Sequence, residues 1–240
     1  MPVSHPVAPV VVSTYNEPLI TSDWAVKVFE KAREKGLMCG YVSNGNATPE
    51  VLAYIRPFVS LYKVDLKSFD DKQYRKLGGV LKNVLDTIVR LKEMGFWVEL
   101  VTLVIPGFND SDDELRAMAQ FIAGVSCDIP WHVTAFHPDY KMVGPPRTTV
   151  HELERAYAVG KEAGLHYVYP GNLPGLVGDR ENTCCPTCGA VLIRRHGFTV
   201  IENRMNGSAC CACGTIIPGV WEQHAPGRSV GTGIPRAVWL

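Results

Sequence analysis

The sequence predicts an α/β protein built on a parallel sheet or barrel, followed by a small metal-binding appendage. Short apolar runs alternate with segments of helical periodicity, and several of the apolar runs end in polar residues. Repeated strand–helix units of this kind form parallel sheets and barrels, whose active sites lie at the carboxyl ends of the strands. A crowd of cysteines within residues 184–213 predicts the appendage.

Composition narrows the classes of partner. The 240 residues carry 24 basic and 24 acidic side chains and contain no dense basic run. This composition argues against nucleic acid as the main partner. No apolar stretch approaches the roughly 18 residues of a membrane span. Residues 1–12 lack the basic start of a signal peptide. We therefore expect a cytoplasmic protein that acts on neither membrane nor nucleic acid.

Six short apolar runs predict the strands. The central stretch, Ser60–Lys67, ends on Asp65 and Lys67, which share one face because side chains two residues apart on a strand point the same way. From the residues alone, this pair is equally well interpreted as an ion pair at a strand end. The other predicted strands are Val10–Thr14, Leu37–Val42, Trp97–Ile105, Trp131–Phe136 and His166–Tyr169.

Helical periodicity fills the segments between the strands. Thr48 is predicted to cap a short helix, and Asp110 or Ser111 to cap another, with Glu114 closing a capping box. Three tryptophans, Trp24, Trp97 and Trp131, are expected in the core. The other helices are predicted at Thr21–Lys35, Asp70–Lys76, Leu81–Met94, Asp112–Ile122 and Thr149–Gly164.

Two C-x-x-C-G knuckles, separated by 21 residues with strand-like runs, predict a zinc ribbon. Four thiolates complete a tetrahedral site and leave no open position, so the metal is expected to be structural. Ligand type does not separate zinc from iron in a rubredoxin-like site. Cys184 and Cys211 offer alternative registers, but the predicted ligands are Cys185, Cys188, Cys210 and Cys213.

A series of stretches, taken together and in order, resembles a known family. They are TYNEP, VSNGN, VDLKSF, LVTLVIPGFNDS, PWHVTAFHPDYKM, YVYPGN and CPTCG…CCACGTIIPGVW. The chain is similar, from Val11 to Trp221, to radical S-adenosylmethionine (SAM) enzymes of the pyruvate formate-lyase activating-enzyme type. Within these it most resembles the AmmeMemoRadiSam-system enzyme. The resemblance implies an incomplete parallel (β/α)6 radical SAM-type barrel with a C-terminal zinc ribbon.

The resemblance also implies cofactors and the residues that hold them. SAM and a 4Fe-4S cluster would together yield a 5′-deoxyadenosyl radical that abstracts hydrogen from a substrate. The substrate class is not implied by any residue, although related activating enzymes act on a glycine of a partner protein. The motif matches assign SAM binding to Asn16, Glu17, Ser43, Asn44, Asp65, Lys67 and His137. Without the resemblance, Glu17 is equally a helix-start residue and His137 a solvated loop residue.

The sequence departs from the family at the cluster motif. No C-x3-C-x2-C is present, since the one C-x3-C, Cys184 to Cys188, has Val191 where a third cysteine would stand. We therefore expect a family member that lacks its cluster-binding segment and is inactive alone. The alternative is a non-catalytic zinc-binding interaction or assembly module.

The expected organisation follows from these assignments. Residues 1–170 are predicted to form the partial barrel, 171–180 a linker, 181–221 the ribbon and 222–240 a flexible tail. Loss of a strand–helix unit before Val10–Thr14 would expose that edge and the apolar flank of the next helix. The chain is thus expected to be marginally stable, to associate through this edge, or to depend on a separate N-terminal fragment.

Overall fold

The computed structural model describes residues 10–221 and has at its centre a parallel sheet of six strands. The strands lie in sequence order, each parallel to the next, as expected for successive strand–helix units. All six predicted strands are confirmed: β1 (Val10–Ser13), β2 (Met38–Ser43), β3 (Leu61–Asp65), β4 (Trp97–Val104), β5 (Trp131–Ala135) and β6 (Val168–Gly171). The predicted tail, 222–240, lies outside the described residues.

Six helices connect and cover these strands within the described part of the chain. Thr48 caps the second helix as predicted, since its hydroxyl accepts a hydrogen bond from the Val51 amide at 3.3 Å. No helix among residues 10–221 combines the length and apolar character needed to cross a bilayer. The helices are α1 (Ser22–Glu34), α2 (Pro49–Ile55), α3 (Asp71–Lys76), α4 (Leu81–Glu93), α5 (Asp112–Val125) and α6 (Val150–Glu162).

One predicted capping box is wrong. Ser111 does cap α5, because its hydroxyl accepts from the Glu114 amide at 3.3 Å. The Glu114 carboxylate, however, accepts hydrogen bonds from the Ser68 hydroxyl at 2.6 Å and the Phe69 amide at 2.7 Å. Glu114 therefore satisfies donors in the loop after β3 instead of the end of its own helix.

The helices pack on one face of the sheet. Alternate residues of β4 illustrate the division, since Val98, Leu100 and Val104 are buried while Trp97 and Glu99 on the other face are only half-buried. The faces therefore differ in chemistry. The covered face is apolar, and the opposite face, here called the open face, carries polar side chains.

Helix α6 approaches the sheet closely at Gly160. A Cβ at this position would lie 2.8 Å from Val168 and 3.1 Å from the indole of Trp131. Trp131 is fully buried, as predicted, and its indole nitrogen donates to the Thr102 hydroxyl at 2.9 Å. Glycine thus allows α6 to lie this close to the sheet, because a larger residue would push the helix and the sheet apart.

Strand β1 ends the sheet on one side in the described residues. It pairs with β2, and Val12 on it is 46% exposed. Trp24 is 68% exposed, so its predicted core position is wrong. The reason is that α1 packs on the sheet through another side, with Ala25, Val26 and Phe29 buried. Trp97 is half-buried and faces the open side.

A second, antiparallel sheet follows β6 and contains β7 (Thr183–Cys184), β8 (Val191–His196) and β9 (Thr199–Asn203). This ribbon packs beside β6, the last strand of the main sheet, since Tyr167 and Tyr169 are part of its small apolar core. The hydroxyls of Tyr169 and Thr183 are 2.9 Å apart. Between the two sheets, in the segment predicted as a linker, Val177 is only 1% exposed and packs in the main core.

Candidate functional site

The carboxyl ends of the strands carry the residues that the motifs single out. Glu17 lies just after β1, and its carboxylate joins the ends of two strands. Its Oε1 accepts from the Ser43 hydroxyl at 2.7 Å, and its Oε2 accepts from the Asn44 amide at 2.7 Å. The structure thus brings together three of the residues that the motifs single out. Oε1 also accepts from the Leu19 amide at 3.2 Å, so Glu17 caps a short 3₁₀ turn as well.

Asp65 and Lys67 meet at the end of β3. Asp65 Oδ2 lies 3.4 Å from Lys67 Nζ, and the two side chains are 36% and 42% exposed. An ion pair this exposed contributes little to stability, since water screens the attraction. The pair therefore remains available for a polar ligand at the end of the sheet.

Asn16 and His137 are not brought into that network. Both are exposed, and neither side chain makes a hydrogen bond within residues 10–221. His137 follows β5 directly, so it stands at the correct edge of the sheet. Of the seven residues assigned by motif, the structure connects Glu17 with Ser43 and Asn44, and Asp65 with Lys67.

Asn109 holds the ends of β3 and β4 together, a role that the sequence did not predict. It is fully buried, and its Nδ2 donates to the carbonyls of Lys67 at 2.7 Å and Leu103 at 2.9 Å. Its Oδ1 accepts from the Ile105 amide at 2.7 Å. The sequence predicts only a helix cap here, at Asp110 or Ser111, and no sequence signal marks Asn109 beside it.

Thr148 and Asn172 join the next strand ends in the same way. The Thr148 hydroxyl donates to the Val104 carbonyl at 2.5 Å and accepts from the Phe136 amide at 3.0 Å. Asn172 Nδ2 donates to the Ala135 carbonyl at 3.2 Å. Side chains therefore hydrogen-bond across most neighbouring strand ends at the edge that carries the candidate site.

The open face holds a second polar cluster, which the sequence analysis missed. His132 Nε2 lies 2.8 Å from Glu99 Oε2, and the Trp97 indole donates to Glu99 Oε1 at 3.0 Å. Burial raises the pKa of the Glu99 carboxyl, but the hydrogen bond and charge of His132 outweigh it, so this pKa lies below its ordinary value. The rings of His132 and Tyr169 stack at 5.3 Å. The sequence signal that could have indicated this cluster is the presence of polar residues at alternate positions of the strands.

The ribbon gathers four cysteines into one group. The Sγ atoms of Cys185, Cys188, Cys210 and Cys213 all lie within 4.8 Å of one another. The distance is 3.6 Å between the first and last and 3.7 Å between the middle two. Tetrahedral zinc with Zn–S bonds of about 2.3 Å needs sulfurs roughly 3.8 Å apart. The four thiols therefore fit one tetrahedral metal ion.

The surroundings of this group favour metal binding. The Thr215 hydroxyl and amide hydrogen-bond the Cys213 sulfur and lower the pKa of its thiol to about 6. Gly189 and Gly214 have φ of +73° and +74°, so each knuckle turns through a conformation that favours glycine. Cys184 and Cys211 stand outside the group.

No cysteine set suited to an iron–sulfur cluster stands at the strand ends of the described residues. Cys39 is buried in β2, and Cys127 follows α5. The remaining six cysteines belong to the ribbon. The residues described here therefore do not supply three thiolates at the edge of the sheet where Glu17 and Asp65 lie.

Comparison with known proteins gives a consistent picture. The profile of the radical SAM superfamily matches residues 3–122, which is half of the chain. An uncharacterized protein of Methanocaldococcus jannaschii is 35% identical over 207 residues, covering 85% of this chain and 61% of that protein. The pyruvate formate-lyase-activating enzyme of Staphylococcus aureus is 26% identical over 174 residues, covering 66% of this chain and 67% of that enzyme.

A solved structure shares the fold. A domain of the pyruvate-formate lyase-activating enzyme from Bacteroides vulgatus superposes with a TM-score of 0.59 at 16% identity, covering 68% of this chain and 98% of that domain. The chain spans less than two thirds of the length of the archaeal relative. It therefore corresponds to part of that protein.

Proposed function

This chain belongs to the radical SAM superfamily, and from that premise we propose that it is the SAM-binding part of an activating-enzyme-like radical SAM enzyme. Such an enzyme generates a 5′-deoxyadenosyl radical, which abstracts hydrogen from a substrate. The observation that carries the proposal is the set of polar side chains at the carboxyl ends of the parallel strands. We further propose that it belongs to the AmmeMemoRadiSam-system branch of these enzymes.

The proposed SAM site combines a rigid part and an accessible part. Glu17 has hydrogen bonds on both carboxylate oxygens, so its proposed role is to fix the end of β1 beside Ser43 and Asn44. Asp65 and Lys67 are half-buried and present both charges, which suits the ammonium and carboxylate of the methionine part of SAM. Asn16 is proposed to lie at the amino group and His137 at the ribose and adenine.

The residues of this chain do not provide a binding site for the 4Fe-4S cluster. Its three cysteine ligands are absent from the sequence of 240 residues, so these residues alone would not hold it. We propose that polypeptide outside these 240 residues supplies the ligands. The six strands would then form part of a barrel, and these 240 residues alone would not cleave SAM.

The ribbon metal is proposed to be zinc in a structural role. Four thiolates close the coordination shell and leave no position for a substrate. The substrate of the enzyme is proposed to be a protein, because the relatives are named as activating enzymes of other enzymes. No residue of the chain identifies that protein.

The proposal is tested by SAM binding and SAM cleavage in parallel. Equilibrium dialysis with labelled SAM is expected to show saturable binding that falls about tenfold in Asp65→Asn plus Lys67→Met. Lys72→Met, on the exposed side of α3, serves as the matched control. After reconstitution with iron and sulfide, no 5′-deoxyadenosine above background is expected. Absence of SAM binding would overturn the proposal, and stoichiometric cleavage would overturn the assignment of the cluster ligands.

A second candidate function is a non-catalytic zinc-binding interaction module. The observation that favours it is the exposed apolar surface of the ribbon, where Phe198 is 88%, Ile201 60% and Ile216 65% exposed. A chain of this kind would hold its metal but would not bind SAM. The same dialysis experiment therefore separates the two functions.

A further inference from the structure

The hydroxyl of Tyr74 lies against the backbone that carries the Asp65 and Lys67 side chains. It accepts a hydrogen bond from the Lys67 amide at 3.0 Å and donates one to the Asp65 carbonyl at 3.3 Å. The pairing of β2 with β3 ends where Ser43 meets Val64, so both groups lie beyond the last position of that ladder. One side chain of α3 therefore bonds two backbone groups at the point where the neighbouring strand ends.

Tyr74 is closely packed and keeps its proton. It is only 3% exposed, and a Cβ added to Gly79, in the loop after α3, would lie 3.1 Å from its ring. Burial raises the pKa of the Tyr74 hydroxyl to about 12, so the group can donate to the carbonyl at neutral pH. The hydroxyl is therefore both a donor and an acceptor at a fixed place in the core.

Two further side chains hold the connection from β3 to α3. Asn109 donates to the Lys67 carbonyl at 2.7 Å. Glu114 accepts from the Ser68 hydroxyl at 2.6 Å and from the Phe69 amide at 2.7 Å. Side chains from α3, from α5 and from the loop before α5 therefore fix the backbone that follows the end of β3.

The charged ends of Asp65 and Lys67 are, by contrast, held only by each other. They lie 3.4 Å apart and are half-buried, and neither forms a further side-chain hydrogen bond within residues 10–221. Such a pair is screened by water and does little to hold its own geometry. The direction in which the two charges point therefore depends on the backbone beneath them, which the Tyr74 hydroxyl bonds on both sides of Leu66.

We infer that Tyr74 is a positioning residue for the methionine part of SAM. Its hydroxyl sets the spacing and direction of the Asp65 carboxylate and the Lys67 ammonium, so the two charges are already arranged when the ligand arrives. The inference rests on the proposed function, which assigns these charges to the ammonium and carboxylate of SAM. It predicts that the hydroxyl strengthens binding of the amino-acid part of the ligand and does not affect binding of the nucleoside part.

The test uses the full chain with its ribbon metal bound and the variant Tyr74→Phe, which keeps the ring and removes only the hydroxyl. Equilibrium dialysis is expected to give a dissociation constant for SAM about fivefold higher in the variant. The second ligand, 5′-methylthioadenosine, keeps the nucleoside but lacks the ammonium and carboxylate, and is expected to bind both chains equally. Tyr54→Phe, at a 43% exposed position on α2, is the matched control and is expected to bind both ligands as the parent does.

Amide hydrogen exchange at Lys67 tests the contact without any ligand. Exchange is expected to be at least about fivefold faster in Tyr74→Phe than in the parent and unchanged in Tyr54→Phe. An unchanged dissociation constant for SAM, an equal loss of affinity for both ligands, or unchanged exchange at Lys67 would each overturn the inference. Faster exchange at Lys67 in a chain whose parent does not bind SAM would overturn the proposed function, and the positioning role with it.

Discussion

Buried polar side chains hold the edge on which the candidate site stands. Asn109 makes three hydrogen bonds to backbone groups, which lie on both sides of the β3–β4 junction. Glu17 and Thr148 make comparable contacts at other junctions. Removal of such a residue leaves several buried backbone groups without partners, and each costs more than the bond itself contributes. The stability of this edge therefore depends on a few side chains that bridge neighbouring strand ends.

Asn109→Ala is expected to lower the free energy of unfolding by about 3 kcal/mol, because it orphans buried donors and acceptors at two strand ends. Urea denaturation followed by circular dichroism measures this. Asn83→Ala, on the exposed face of α4, is the control and should change stability by less than about 0.5 kcal/mol. A loss in Asn109→Ala no larger than in the control would contradict the role assigned to Asn109.

The Glu99–His132 pair predicts a pH-dependent stability. Burial raises the pKa of Glu99, but the hydrogen bonds of His132 and Trp97 and the nearby charges of His132 and Lys63 together lower it below its ordinary value of 4.5. A lowered pKa stabilises the fold above the unfolded pKa, and the contribution disappears as the pH falls through the folded value.

Glu99→Gln is therefore expected to be less stable than the parent near pH 7 and to converge with it as the pH falls below 4.5 and through the lowered folded pKa. Because the side chain is 37% exposed, solvent screens the pair, and the expected loss is about 1 kcal/mol. Thermal melts across this range measure it. Glu93→Gln, at the exposed end of α4, is the matched control. A difference that grows toward acid pH would be inconsistent with this assignment.

At the scale of elements, the ribbon contains the four-cysteine group and also packs against the main domain. Two of the four clustered cysteines, Cys185 and Cys210, belong to the same apolar cluster as Tyr167 of the main domain. Metal binding and packing of the ribbon on β6 therefore stabilise each other, because small metal domains take much of their folding free energy from the metal.

Cys185→Ser plus Cys213→Ser is expected to abolish metal binding, whereas Cys184→Ser plus Cys211→Ser should retain one ion per chain. Elemental analysis of the purified variants measures both and identifies the metal. Chelation is expected to loosen the ribbon while most helical circular dichroism remains, since the six helices belong to the main domain. Full metal content in the first double variant would show that the ligands are wrongly assigned.

At the scale of the whole molecule, the outer edge of β1 is the least covered part of the described sheet. Val12 is 46%, Ile20 82% and Trp24 68% exposed, and all three belong to β1 or the segment that follows it. Burying an apolar side chain contributes about 1.5–3 kcal/mol. Val12 lies on the open face, and Ile20 and Trp24 follow β1, so these side chains favour association on the β1 side of the sheet, where β1 also has unpaired backbone groups in the described residues.

The chain is expected to associate as its concentration rises, and Val12→Lys plus Trp24→Gln is expected to shift it toward monomer. Sedimentation velocity over a range of concentrations measures this. Val143→Lys plus Leu176→Gln, which changes exposed apolar residues away from β1, is the control. Monomers at every concentration, together with a sharp melt above roughly 65 °C, would show that the edge is covered in the parent chain.

The sequence alone determined the order of the elements and the four cysteines that lie together. Strand alternation, helical periodicity and the knuckle spacing are local patterns, so they identified β1 to β6 and the four-cysteine group correctly. The tertiary structure alone decided which distant side chains meet. Glu99 and His132 are 33 residues apart, and Glu114 and Ser68 are 46 apart. Their contacts depend on strand order and register, since neighbouring strands bring together side chains whose spacing along the chain carries no periodic signal.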